Sequence, residues 1–141
     1  MSLNTFESDY VTRRRNLLLL IKLVSRTNLG LDYKKHITEL LAETIGFARA
    51  EGRRLLADRS LGRALLPKKE SARIGCFYHL LFVLRLRGEL LNEEVRLCRN
   101  IGFKLGLNPA LINSFIRITK LHPGQSLPVQ KLLQAVKTYL N

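Results

Sequence analysis

Phe77–Pro109, FYHLLFVLRLRGELLNEEVRLCRNIGFKLGLNP, is the stretch whose reading decides the fold. Its first part is apolar at nearly every position through Leu84 and breaks at Gly88, a residue type that leaves a helix without steric penalty. After Glu89-Leu90-Leu91, Asn92 is a good helix cap, and Glu93 and Glu94 fall in the first turn, where carboxylates suit the helix dipole. Gly106 stops this second helix, and Asn108-Pro109 opens a third by the rule of cap then proline. Helix, tight loop, helix and capped helix within 33 residues predict an all-α chain.

Outward from this stretch the same signals continue. Upstream, Pro67 is accepted in a first helical turn, and the helix predicted after it carries Ile74, Cys76, Phe77, Tyr78, Leu80, Leu81, Phe82, Val83 and Leu84. Apolar on almost every side, it reads as a buried central helix. Asn4 and Glu7 resemble a capping box, followed by Phe6, Tyr10, Leu17, Leu20, Ile21 and Val24 at helical spacing up to about Ser25. Asn28, Gly30 and Asp32 form a turn in which Asp32 is a fitting cap for a helix presenting Ile37, Leu40, Leu41, Ile45 and Phe47. Downstream, helices around Leu111–Ile116 and Val129–Leu140 are separated by the breaker cluster His122-Pro-Gly-Gln-Ser126. The expectation is one helical domain over 1–141, a bundle of about six helices built around the buried central one. Residues 49–73, with eight Lys/Arg against three acids, are a basic connection or a short helix between two halves. Ile45-Gly46-Phe47 and Ile101-Gly102-Phe103 each close the second helix of a hairpin; this is what duplication of one hairpin would leave, or a coincidence between two amphipathic hairpins.

Composition narrows the function classes. At 46% hydrophobic content the chain has material for a core, and 24 Lys+Arg against 11 Asp+Glu give +13, a charge that attracts polyanions. Nucleic acid or an acidic protein is the partner this charge suits. Cys76 and Cys98 sit within helical apolar patterns, outside any zinc-ligand spacing, and read as reduced core residues of a cytoplasmic protein. The run Leu17–Ile21 is cut by Lys22 and is too short to span a membrane. His36, His79 and His122 are scattered, Ser71 and Ser114 have no assignable base, and no catalytic phrase occurs, so no enzyme, cofactor or catalytic residue is expected. A site assembled from distant residues is the remaining enzymatic alternative.

The order apolar helix, Gly88-Glu89-Leu90, Asn92-Glu93-Glu94, Ile101–Leu107 and Asn108-Pro109 resembles the tellurite-resistance protein B-like (TerB-like) family. The resemblance implies an all-helical domain of two related hairpins whose acidic loops hold divalent cations through several converging oxygens. Carried onto this chain, the implied ligands are Glu89, Glu93 and Glu94, with Arg87 standing where the loop aspartate belongs. In the first hairpin, Lys34 and Lys35 occupy the positions of the paired acids. Cations in place of ligands predict eroded sites and no bound metal. Glu93 and Glu94 are then explained by helix-start stabilisation.

The basic residues remain. Arg13, Arg14 and Arg15, then Arg53, Arg54, Arg59, Arg63, Lys68, Lys69 and Arg73, then Arg85, Arg87, Arg96 and Arg99, are candidates for one anion-binding face if the fold converges them, and a scattered solvated shell if it does not. No recognition helix, zinc finger or RNP phrase is present, so base-specific reading is not expected. The sequence therefore predicts a non-enzymatic binding or adaptor module of TerB-like type. Nonspecific DNA or RNA binding is the alternative.

Overall fold

A computed structural model describes residues 10–58, 66–86, 88–121 and 129–140. Among them the chain is all-helical, with seven helices and no strand: α1 (Tyr10–Ser25), α2 (Leu31–Ile45), α3 (Arg49–Ala57), α4 (Glu70–Arg85), α5 (Asn92–Lys104), α6 (Pro109–Leu121) and α7 (Val129–Leu140). The helix beyond the six or so that the pattern predicts is α3, in the stretch left open between connection and helix. None of the described helices is long and apolar enough to cross a membrane.

Helix α1 buries Leu17, Leu20, Ile21 and Val24 and ends at Ser25, while Tyr10, read at the same spacing, stands exposed in the first turn with its ring beside Phe47, and Phe6 lies outside the described residues. Its last carbonyls are satisfied from outside the helix: the Thr27 hydroxyl donates to Val24 O at 2.7 Å, and Lys34 Nζ donates to Ser25 O at 2.9 Å. The Asn4–Glu7 capping box lies outside the described residues. Helix α2 begins two residues before the expected position. Gly30, not Asp32, is the cap, because the Gly30 carbonyl already accepts the Lys34 N–H at 3.0 Å; Asp32 falls in the first turn. At the far end Gly46 adopts φ 103°, with Phe47 N–H donating to Ala42 O and Gly46 N–H to Glu43 O, a Schellman ending that favours glycine.

Helix α3 packs on α2 through Gly52, where a Cβ would stand 2.3 Å from the Thr38 carbonyl oxygen. Only a residue without a side chain permits this approach, and it lets Leu55 reach the core. Pro67 is not in the first turn of the next helix. Arg73 Nη1 donates to the carbonyls of Pro67 (2.9 Å) and Lys68 (3.1 Å), which holds that segment outside α4, and Lys69 is the cap. In α4, Ile74, Cys76, Phe77, Leu80, Leu81 and Leu84 are fully buried, and the helix touches α1, α2, α5 and α6.

Helix α5 is capped by Leu91 rather than Asn92, because the Glu94 carboxylate turns back to accept the Leu91 N–H at 2.9 Å. It ends in a second Schellman pattern: Gly106 has φ 75°, and Leu107 N–H donates to Gly102 O. The matching Ile-Gly-Phe phrases therefore occupy different places. Gly46 terminates α2, whereas Gly102 lies inside α5 against Ile112 and Phe77, and the terminator there is Gly106. Asn108-Pro109 opens α6 as expected, with Asn108 Oδ1 accepting the Ala110 N–H at 2.8 Å. Phe115 of α6 stacks on Phe77 of α4, ring centroids 5.9 Å apart, and α7 seats Leu132, Ala135 and Val136 beside α6.

Candidate anion-binding cleft

The residues at the implied cation positions have separate employments. Glu94 is buried and accepts two hydrogen bonds, from the Leu91 N–H and from the Tyr33 hydroxyl at 2.6 Å, so it ties the start of α5 to the start of α2. Glu89 is exposed in the loop before α5, and Glu93 is exposed on the first turn. Lys34 closes the end of α1 and Lys35 is exposed; Arg87 lies outside the described residues. Among the described residues no group of three or more His, Cys, Asp or Glu is placed to hold a metal ion.

The basic candidates divide by what they touch. Arg14 Nη1 meets Glu51 Oε1 at 2.7 Å, and Arg54 grips the same carboxylate with Nε at 3.0 Å and Nη2 at 2.6 Å. The two guanidiniums, Arg54 foremost, lower the Glu51 carboxyl to about 2. Arg53 reaches Glu39 at 3.4 Å, and Arg49 pairs with Glu43, whose carboxyl is lowered by that hydrogen bond. These partners follow from α3 lying on α2, which sets the arginines of one helix against the glutamates of the other. Arg13 points Nη1 at Ile45 O (3.4 Å) and lies 5.8 Å from the Phe47 ring centre, closing the end of α2. Arg73 holds the segment before α4, Arg99 Nε donates to Asn113 Oδ1 at 3.2 Å, and Arg85 is buried. Arg15, Lys68 and Lys69 are exposed, and Arg59 and Arg63 lie outside the described residues.

Arg96 is different. It is exposed on α5 and lines a cleft of about 570 Å³ together with residues 26–30 of the α1–α2 turn and with Glu93, Leu97 and Asn100. Across that cleft stands Arg26, which no cluster of charge in the sequence singles out. Neither guanidinium has an ion-pair or hydrogen-bond partner among the described residues, and the same holds for Asn28 and Asn100. The turn that carries Arg26 is fixed at both ends, by Thr27 on Val24 O and by Lys34 on Ser25 O. The cleft thus offers two cations, two amides and one carboxylate on a fixed frame. It is suited to binding an anion, because guanidiniums form their strongest hydrogen bonds with carboxylate or phosphate oxygens.

Of the groups suited to covalent or acid–base work, His79 and both thiols are withdrawn, while His36 of α2 is half-buried. His79 is buried, and desolvation lowers it to about 4, so the imidazole is neutral at pH 7. Cys76 and Cys98 are free and buried; burial pushes the Cys76 thiol up to about 12 and raises Cys98 further, with the Glu94 charge adding to the effect there. His122 lies outside the described residues, and Ser114 is buried.

Comparison with protein-family models returned no match. Searches of curated proteins and of solved structures likewise returned none.

Proposed function

We propose that this chain is a non-enzymatic adaptor module that takes an acidic protein partner on the face formed by the α1–α2 turn and α5. In this reading it is a TerB-like bundle of two hairpins, α1–α2 and α4–α5, with α4 as its central helix and its cation sites eroded. One observation carries the proposal: Arg26 and Arg96 line one cleft without a partner among the described residues, while Arg14, Arg49, Arg53 and Arg54 are paired with glutamates. A charge already paired gains less from a ligand, since the existing pair must first be given up. The burial of His79 and of both thiols supports a binding role over a catalytic one, and reduced buried cysteines suit the cytoplasm.

The test is a salt titration of binding to hexaglutamate and, in parallel, to duplex DNA and single-stranded RNA. Replacing Arg26 and Arg96 together with Ser is expected to weaken hexaglutamate binding by at least about tenfold, and the Arg53→Ser, Arg54→Ser pair by less than about threefold. Preference for DNA, with log K falling against log salt at about −0.9 for each phosphate neutralised and flattening in the Arg53/Arg54 pair, would overturn the proposal in favour of nucleic acid.

A further inference from the structure

The α1–α2/α5 cleft carries a pattern more specific than positive charge. Its two guanidiniums come from separate elements, Arg26 from the turn and Arg96 from the second turn of α5, and Glu93 lies one helical turn before Arg96 on the same wall. That carboxylate suits the start of α5 and also lines the cleft, which gives the site an acceptor beside its two cations. We propose that the cleft binds a phosphorylated serine or threonine side chain of the acidic partner, the two arginines taking the phosphate and Glu93 taking a backbone N–H of the flanking residue. This rests on the reading of the cleft as the partner-binding face.

The chemistry favours a monoester over the other anions a partner could offer. A phosphomonoester carries about −1.5 to −2 charges on three acceptor oxygens, enough for a two-point bond from each of two forks. A single carboxylate has two oxygens and one charge, and leaves one guanidinium poorly used. A continuous phosphodiester strand would run its next charges past Glu93, and like charges at close range are unfavourable. Asn28 and Asn100 add amide groups without partners among the described residues, able both to donate to phosphate and to accept from peptide. The volume, about 570 Å³, lies within the range of about 300–1,000 Å³ that small-ligand sites occupy, which suits one modified side chain with its neighbouring backbone. A Cβ at Gly30 would meet nothing within 4 Å, so the start of α2 leaves the mouth of the cleft open.

The experiment uses the full chain and three probes: a seven-residue glycine peptide with one central phosphoserine, the same peptide with glutamate there, and glycerol 3-phosphate. Isothermal titration is expected to show the phosphopeptide binding at least about tenfold tighter than the glutamate peptide, with Arg26→Gln and Arg96→Gln each removing about tenfold. Glu93→Gln should narrow the gap between phosphopeptide and glycerol 3-phosphate, because only the peptide supplies the N–H. Arg26, Glu93 and Arg96 are exposed, so these variants should fold, and an unchanged melting temperature checks it. Equal affinity for the phosphoserine and glutamate peptides would overturn the inference, as would glycerol 3-phosphate binding as tightly as the phosphopeptide. If hexaglutamate binding still depends on Arg26 and Arg96, only the phosphate assignment falls. If hexaglutamate binding ignores both arginines, the partner-binding face falls with it.

Discussion

Two arginine-bearing regions of this molecule differ in what their charge is for. On the α2–α3 face, Arg49, Arg53 and Arg54 stand among Glu39, Glu43 and Glu51, with Arg14 of α1 completing the set. In the α1–α2/α5 cleft, Arg26 and Arg96 have no such partners among the described residues. Three arginines of the first region fall within the six residues Arg49–Arg54, yet each is paired, whereas the two of the cleft stand apart in sequence and have no partner among the described residues. Clustered arginines along a chain are therefore a poor guide to available charge, because packing of α3 on α2 sets Glu39 and Glu43 against Arg53 and Arg49.

The largest expected effect lies in the core and separates its pH response from that of the surface pairs. The unfolded chain protonates His79 through about pH 6.5 and the folded chain only near 4, so stability is full above pH 6.5 and falls by up to about 3 kcal/mol as pH drops toward 4. Chemical denaturation of wild type and His79→Gln across that range checks it. The variant should lose this slope, and a slope that persists would place the sensitivity elsewhere.

Next is the seat of α3. Gly52→Ala drives a methyl against the Thr38 carbonyl and should cost about 1–3 kcal/mol by overpacking, lifting the arginines of α3 away from Glu39 and Glu43. Denaturant titration measures the loss. Unchanged stability would mean that α3 does not rest on α2 as described.

A smaller effect attaches to Glu51. With its carboxyl lowered to about 2, its pairs stabilise the fold above about pH 4.5, and that contribution disappears as pH falls toward 2. The pairs are partly exposed and solvent-screened, so Glu51→Gln should cost no more than about 1 kcal/mol at neutral pH and remove part of the acid limb below pH 4.5. An acid limb identical to wild type would show that the α3 pairs contribute nothing. The smallest expected effect is none: calcium or magnesium at millimolar concentration should leave the melting temperature unchanged, since a ligand that binds the folded state raises it. A rise that disappears in Glu93→Gln would restore a working cation site and displace the anion-binding reading.

The sequence carried the helices well where caps and stops are chemical. Gly106 and Asn108-Pro109 act as read, and most periodic residues of α1, α2 and α4 are buried, whereas Tyr10 is exposed and Phe47 lies past the end of α2, half-buried. Starts were less legible, because Gly30 and Leu91 replace the expected Asp32 and Asn92 through contacts made by the backbone and by Glu94. Helix α3 was ambiguous because its seat depends on Gly52 meeting Thr38, a contact between helices that periodicity does not encode. Of the cleft, Arg96 and Glu93 were visible as candidates. Arg26 was missed because it stands alone beside a turn, and what makes it notable is the lack of a partner, a property of the fold and not of the local sequence.

The contrast between the regions is tested most directly by arginine-selective modification of the folded chain with a dicarbonyl reagent at low salt, sites being located by peptide mass. Arg26 and Arg96 should react roughly three to five times faster than Arg14, Arg49, Arg53 and Arg54, the protection that exposed ion pairs worth up to about 1 kcal/mol provide. Equal rates at all six arginines, or faster reaction on the α2–α3 face, would contradict the account.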